Sequence, residues 1–267
     1  MFRKTMQEFL KQTIQEAGAI AKGYFDNGVK SIKTKSSVGD LVTEADVAVS
    51  EFIVEKIKKA YPDHTIFSEE VGEKINVGGE YEWVIDPIDG TRNFANGIPF
   101  WCTIIAVVRN GETWLGAVYN ALSGDLFFAE KGKGAFLNGN KISVNNTQSL
   151  DHAFGIMARA NNAGVYGDYI ERYRVFAVNL TTKTDAWVCN HATMLITCHL
   201  ASGGADFFAA NAGLDWDYLA PALIAEEAGA IVTNSYGEPW TRGRQDIIIA
   251  NPDLHPKVMA LFETYNA

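Results

Sequence analysis

The sequence predicts a mixed α/β and α+β fold, and three observations carry that prediction. In the first half, apolar strand-like runs are separated by Asn110-Gly111 and Ser123-Gly124, turn signals that join neighbouring strands into an antiparallel meander. In the second half, helical and strand-like segments alternate from Phe154 onward, as in an α/β layer. Between them the polar run Asn145-Asn146-Thr147-Gln148-Ser149 marks a boundary, so the expected halves are 1–145 and 146–267, packed as one compact unit. A chain of 267 residues, 47% hydrophobic, can bury a full core at this size.

Each element follows from its local pattern. Residues 4–25 place Phe9, Leu10, Thr13, Ile14, Ala17, Ala21 and Phe25 at three- and four-residue spacings, an amphipathic helix. The basic stretch 30–35 is a strand or loop, and Lys35 is a candidate for balancing charge or touching an anion. Thr43 is a good N-cap for a second helix reaching Ala60, with Asp46 at the capping-box position and Tyr61-Pro62 as the stop. Residues 64–70 form a short strand ending in Glu69-Glu70, whose side chains alternate faces, and 72–79 is a polar excursion. Strands follow at 101–108, 113–120 and 126–130, then a tight turn through 131–139. The second half reads as a strand at 154–158, helices at 164–176 and 191–202, a strand at 205–209, a helix at 217–228, a strand at 247–250 and a last helix at 256–265.

The chemistry gathers in Tyr81-Glu82-Trp83-Val84-Ile85-Asp86-Pro87-Ile88-Asp89-Gly90-Thr91-Arg92-Asn93-Phe94. Proline disrupts the ladder and re-aims the residues after it, so Asp86 and Asp89 can converge beyond the strand end. Carboxylates held that close repel unless a cation lies between them, and the Ile88 carbonyl is a further oxygen donor. Gly90 and Thr91 offer backbone N–H groups at the start of a short helix, a seat for an anion. A turn and a helix cap after a strand would account for the same residues taken alone. Asp217 likewise reads either as an N-cap or as an acid brought to the site from the far half.

Bulk properties narrow the class. The formal net charge is −9 with no compensating basic stripe, which argues against a nucleic-acid duplex as partner. No run of about 18 apolar residues is present to span a membrane, and the first residues lack the apolar segment of a signal peptide. Cys102, Cys189 and Cys198 lack metal-ligand spacing, so a reduced, cytoplasmic protein is expected.

Taken in order, Gly39-Asp40-Leu41-Val42-Thr43-Glu44-Ala45-Asp46, Ser68-Glu69-Glu70, Asp86 to Phe94, and Trp216-Asp217-Tyr218-Leu219-Ala220 resemble the motifs of the inositol monophosphatase family. That is the magnesium-dependent, lithium-sensitive phosphomonoesterase superfamily, which includes fructose-1,6-bisphosphatases and nucleotidases acting on adenosine 3',5'-bisphosphate. The resemblance implies a layered α-β-α-β-α fold, a small phosphate ester as substrate, two or three Mg2+ ions and a homodimer. It implies a first ion held by Glu69, Asp86 and the Ile88 carbonyl, a second by Asp86, Asp89 and Asp217, and a weaker third near Glu69. It makes Glu69, Thr91 and Asp46 catalytic, and the Gly90 and Thr91 amides phosphate-binding.

The substrate end departs from the family pattern. His191-Ala192-Thr193-Met194 stands where Gly-Ser-Ala-Ala is common, and Ala210 replaces the glutamate that binds inositol hydroxyls in the animal enzymes. Asp89, His191, Thr193 and Ala210 are the implied substrate contacts. Inositol monophosphate is the default substrate; fructose-1,6-bisphosphatase or 3',5'-bisphosphate nucleotidase activity is the alternative, and a regulatory binding protein with a vestigial site is the alternative of another class.

Overall fold

The run that carries the two aspartates lies at the second position of a seven-stranded sheet. The computed structural model describes residues 5–28, 32–34, 41–158, 169–191 and 193–263. Helix α1 (Met6–Asp26) starts in a capping box between Thr5 and Glu8. A small antiparallel hairpin, β1 (Ile32–Thr34) with β2 (Leu41–Thr43), leads into α2 (Glu44–Ala60). Lys35 lies outside the described residues.

Strands β3 (Thr65–Ser68), β4 (Tyr81–Asp89), β5 (Cys102–Arg109), β6 (Glu112–Asn120), β7 (Asp125–Glu130), β8 (Gly134–Leu137) and β9 (Asn140–Lys141) lie side by side in chain order. Of these pairings only β3–β4 is parallel. The excursion 72–79 returns to this sheet through an Ile66–Ile75 bridge. Helix α3 (Thr91–Ala95) follows β4 directly.

Past the polar boundary come β10 (Phe154–Ala158), α4 (Tyr169–Lys183), β11 (Trp187–Cys189), α5 (Leu195–Ala201), β12 (Phe207–Ala210), α6 (Asp215–Glu227), β13 (Ile231–Thr233), β14 (Ile247–Ala250) and α7 (His255–Ala260). The strands form a second sheet in the order β11-β10-β12-β14-β13. Three expectations change here. The described part of the helix expected at 164–176 runs on to Lys183, and the short strands β11 and β13 were not anticipated. The helix expected at 191–202 begins only at Leu195, because Thr193 and Met194 turn their donors onto Asp89.

Alternation along the strands sorts side chains into three apolar layers. Trp83 and Ile85 of β4 face α1 and α2, whose buried stripe includes Leu10, Ile14, Val49 and Ile53. Val84 faces the other way, against Leu219 and Leu223 of α6 and Leu195 of α5. Ile156, Phe208 and Ile249 close that central layer from the second sheet, while Phe207, Ala209 and Ile248 turn outward onto Tyr173 and Phe176 of α4 and Val258 of α7. The stacking is α-β-α-β-α, the order expected from the resemblance. Period-two burial on both sheets produces it, since each strand has two apolar faces to cover.

Helix α6 approaches β6 closely at Gly116, where an added Cβ would meet Ala220 at 2.9 Å from its carbonyl oxygen and 3.0 Å from its Cα. Those are backbone atoms and cannot swing aside. Gly116→Ala is therefore expected to cost about 1–3 kcal/mol by overpacking. A thermal melt checks it; an unchanged midpoint would mean that α6 shifts without cost.

Candidate active site

The site is built where the C-terminal end of β4 meets the N-terminal end of α6. In a regular strand Asp86 and Asp89, three residues apart, would point to opposite faces. Here the register slips between them: Asp86 pairs with Ile104, whereas Asp89 pairs with Cys102. Pro87 lies within the bulge, its carbonyl accepting from the Thr103 hydroxyl at 2.9 Å. The extra residue brings both carboxylates to one side.

Asp217 reaches the same point from α6. It is the third residue of the helix, not its N-cap, and its Oδ2 accepts from the Leu214 N–H at 2.6 Å. One oxygen from each of Asp86, Asp89 and Asp217 lies within 4.8 Å of the others. Asp86 is buried, and its Oδ1 has no hydrogen-bond partner. A buried carboxylate oxygen left unsatisfied is costly, and a cation among three such groups removes that cost. An all-oxygen donor set suits a hard divalent ion.

The electrostatics follow from this crowding. Burial pushes the Asp86 carboxyl well above the usual range, and the charges of Glu69, Asp89, Asp217 and Asp46 push it further. Burial also raises Asp89, to about 6, against hydrogen bonds from Thr193, Met194 and Cys102 that pull the other way. All three donors converge on Oδ2 of Asp89: the Thr193 hydroxyl, the Met194 N–H at 2.5 Å and the Cys102 thiol at 3.4 Å. Glu69 follows β3 directly, its N–H donating to the Ile85 carbonyl at 3.1 Å.

A second set of groups joins the start of α2 to the start of α3. Asp46 is fully buried, and its Oδ2 accepts from the Thr43 N–H at 2.8 Å and the Thr43 hydroxyl at 2.5 Å. The Thr91 hydroxyl lies 3.0 Å from the Ile88 carbonyl oxygen and 3.5 Å from Asp46 Oδ1, so it can donate to either. Asp46 thus caps its helix and touches Thr91 at once. Gly90 has φ +89°, and an added Cβ would lie 3.1 Å from Thr193, so this turn needs glycine both for its conformation and for space.

A cavity of about 330 Å³ opens beside the carboxylates. Asp89, Asp217, Thr193 and Ala210 line it, together with Arg92, Asn190 and Met194, which the sequence reading passed over. His191 is not among its lining residues. Its ring packs against Phe100 at 4.9 Å between centroids, and its carbonyl accepts from Asn93 Nδ2 at 2.8 Å. That last contact ties the segment before α5 to α3.

Comparison with known proteins agrees with this architecture. The model of the inositol monophosphatase family matches residues 3–267. A fructose-1,6-bisphosphatase/inositol-1-monophosphatase of Thermotoga maritima is 33% identical over 232 residues, 86% of this chain and 86% of that one. A putative Nus factor SuhB of Neisseria meningitidis serogroup A is 33% identical over 236 residues, 88% of this chain and 89% of that one. Among solved structures, a Thermotoga maritima IMPase superposes with a TM-score of 0.83 at 30% identity, covering 96% of this chain and 95% of its own. Among the described residues no helix is long and apolar enough to cross a membrane. Because the family match spans every segment that brings an acid to the cavity, the chain belongs to the inositol monophosphatase family and is a phosphomonoesterase.

Proposed function

We propose that the protein hydrolyses a small phosphate monoester to the alcohol and inorganic phosphate with the help of magnesium. The observation that carries this reading is the convergence of Asp86, Asp89 and Asp217, with a buried Asp86 oxygen that has no hydrogen-bond partner. Asp86, Asp89 and Asp217 would hold one ion; Glu69, Asp86 and the Ile88 carbonyl would hold another, with a weaker third near Glu69. When bound, the ions supply positive charge that acidifies water and offsets charge on the phosphoryl oxygens.

The chain's own groups do the rest. Thr91 accepts a hydrogen bond from the attacking water, passing its own hydrogen bond to Asp46 or the Ile88 carbonyl, and Glu69 takes the water's proton. The water oxygen bonds to phosphorus as the bond from phosphorus to the alcohol oxygen breaks. The Gly90 and Thr91 amides stabilise the phosphoryl oxygens during that displacement. The departing alkoxide takes a proton from a second water beside Asp89 or Asp217, and the hydroxide left behind recovers the proton that Glu69 took from the attacking water, which restores both. A cytoplasmic homodimer is the assembly in which we expect this to occur.

Phosphate release from inositol 1-phosphate, glycerol 2-phosphate, fructose-1,6-bisphosphate and adenosine 3',5'-bisphosphate, with and without magnesium, tests the reading. Magnesium-dependent release that disappears in Asp89→Asn is the expected result. Folded protein that binds magnesium but turns over none of the four would instead favour a regulatory role, of the kind that the name of the SuhB relative suggests.

A further inference from the structure

Among the described residues, the strands β10 and β12 of the second sheet present a floor to the cavity that carries no hydrogen-bonding side chain. Strands β10 and β12 are parallel and in register, Ile156 beside Phe208 and Ala158 beside Ala210. Side chains two apart share a face, so these four form one patch, and all four line the cavity. The patch continues across β14, where Phe208 pairs with Ile249 and Ala210 with Ile247. Ile156, Phe208, Ala210, Ile247 and Ile249 all belong to the central apolar layer.

The polar groups of the cavity lie elsewhere. Among the described residues, Asp89, Arg92, Thr193 and Asp217 belong to β4, α3, the segment before α5 and α6, and Asn190 directly follows β11 at the edge of the second sheet, beside β10 and off the β10–β12 floor. The Thr193 hydroxyl already donates to Asp89, and the Tyr218 hydroxyl accepts from the Gly213 N–H at 2.7 Å and donates to the Gln245 carbonyl at 3.2 Å. A ring seated with its phosphate at the carboxylates and its face on β10 and β12 would meet the hydrocarbon of Ile156, Ala158, Phe208 and Ala210 there. Hydroxyls on that side would leave water without gaining a partner, whereas a hydrocarbon face would gain by being covered.

We infer that the preferred substrates are phosphate monoesters of alcohols that present an apolar face, not polyhydroxylated rings. The inference rests on the phosphomonoesterase reading of the site and names the substrate class within it. The specificity-determining residues are Ala158 and Ala210, whose small side chains leave a flat floor beside the β12 end.

Cyclohexyl phosphate and inositol 1-phosphate share a six-membered ring and differ in the hydroxyls. Cyclohexanol is the poorer leaving group, so the comparison is made on KM and not on kcat. In magnesium, the KM for cyclohexyl phosphate is expected to be lower by roughly tenfold or more. Ala210→Glu places an acceptor in the floor and is expected to draw the two KM values together, lowering that for inositol 1-phosphate and raising that for the cyclohexyl ester. Equal KM values in the unmodified protein, or a lower one for inositol 1-phosphate, would overturn the inference while leaving the phosphomonoesterase reading intact. Phosphate release from neither ester would overturn the inference, and turnover of glycerol 2-phosphate, fructose-1,6-bisphosphate or adenosine 3',5'-bisphosphate in the same assay would show that the phosphomonoesterase reading survives it. The ratio in the unmodified protein decides the matter even where Ala210→Glu does not fold.

Discussion

Replacing Asp86 by asparagine is expected to cut phosphate release by about a thousandfold or more and, at the same time, to raise the melting temperature of the metal-free protein. Activity is expected to fall because Asp86, one of the three converging acids, would no longer offer a charged ligand to an ion held among them. Stability is expected to rise because Asp86 is buried beside Glu69, Asp89, Asp217 and Asp46, so the fold must either hold its charge against theirs or take up a proton to neutralise it. A neutral amide of the same shape removes that repulsion. Each kcal/mol recovered raises the midpoint by about 2–4 °C in a chain of this size.

The pH dependence of the metal-free protein follows from the same crowding. Asp89 titrates near 6 in the fold against 3.8 for an ordinary aspartate, so the folded state holds the extra proton between those values. Stability from this group is fully present below the lower value and is lost as pH rises through the upper one, to the extent of about 3 kcal/mol. Melting in a chelator should therefore worsen from pH 4 to pH 7, and added magnesium should stabilise most at the upper end. Metal-free Asp86→Asn melting at or below the parent temperature would contradict this account.

The second large effect is expected at Arg242, outside the cavity. Its guanidinium holds Glu82 at the start of β4 through two bonds of 2.6 and 3.0 Å, and Asp215 at the start of α6 through a third of 2.5 Å. The Gly243 N–H adds a bond of 3.0 Å to Asp215. Burial alone would raise the Glu82 carboxyl, yet hydrogen bonds from Arg242 and Lys74 bring it below the usual range. Arg242 thus fixes the helix start two residues before Asp217 against the strand that carries Asp86.

Arg242→Met removes that brace. The expected loss is about 3 kcal/mol, because Glu82 and Asp215 stay behind, with Lys74 compensating in part. Titration of the rate with magnesium should show the half-saturating concentration rising several-fold, and Arg242→Lys should recover little of it, since an ammonium cannot grip two oxygens side by side. A lower melting temperature with an unchanged magnesium requirement would reduce Arg242 to a purely structural role.

Much of the fold was legible because alternation and turn chemistry are local. The meander from Cys102 to Leu137 is announced by its Asn-Gly and Ser-Gly turns, and the capping box at Thr43 and Asp46 by three-residue spacing. The convergence of Asp86 and Asp89 was legible from Pro87, which lacks the N–H that would keep the strand regular. The late start of α5 was not, since the apolar run before Leu195 looks helical until one knows that its donors are spent on Asp89. Strands of three residues, such as β11 and β13, hold too few positions to show a period. Arg242 was silent because its partners, Glu82 and Asp215, lie on different elements and no spacing links them.

The position of α6 between the two sheets has a kinetic side. Asp217 reaches Asp86 and Asp89 from a helix enclosed by both sheets, and it lies far from them along the chain. Such contacts form late, after the entropy of closing the intervening segment has been met. Magnesium bound among the three acids would then have no seat on the way to the native state. Its stabilisation would appear as slower unfolding, with the rate of folding almost unchanged.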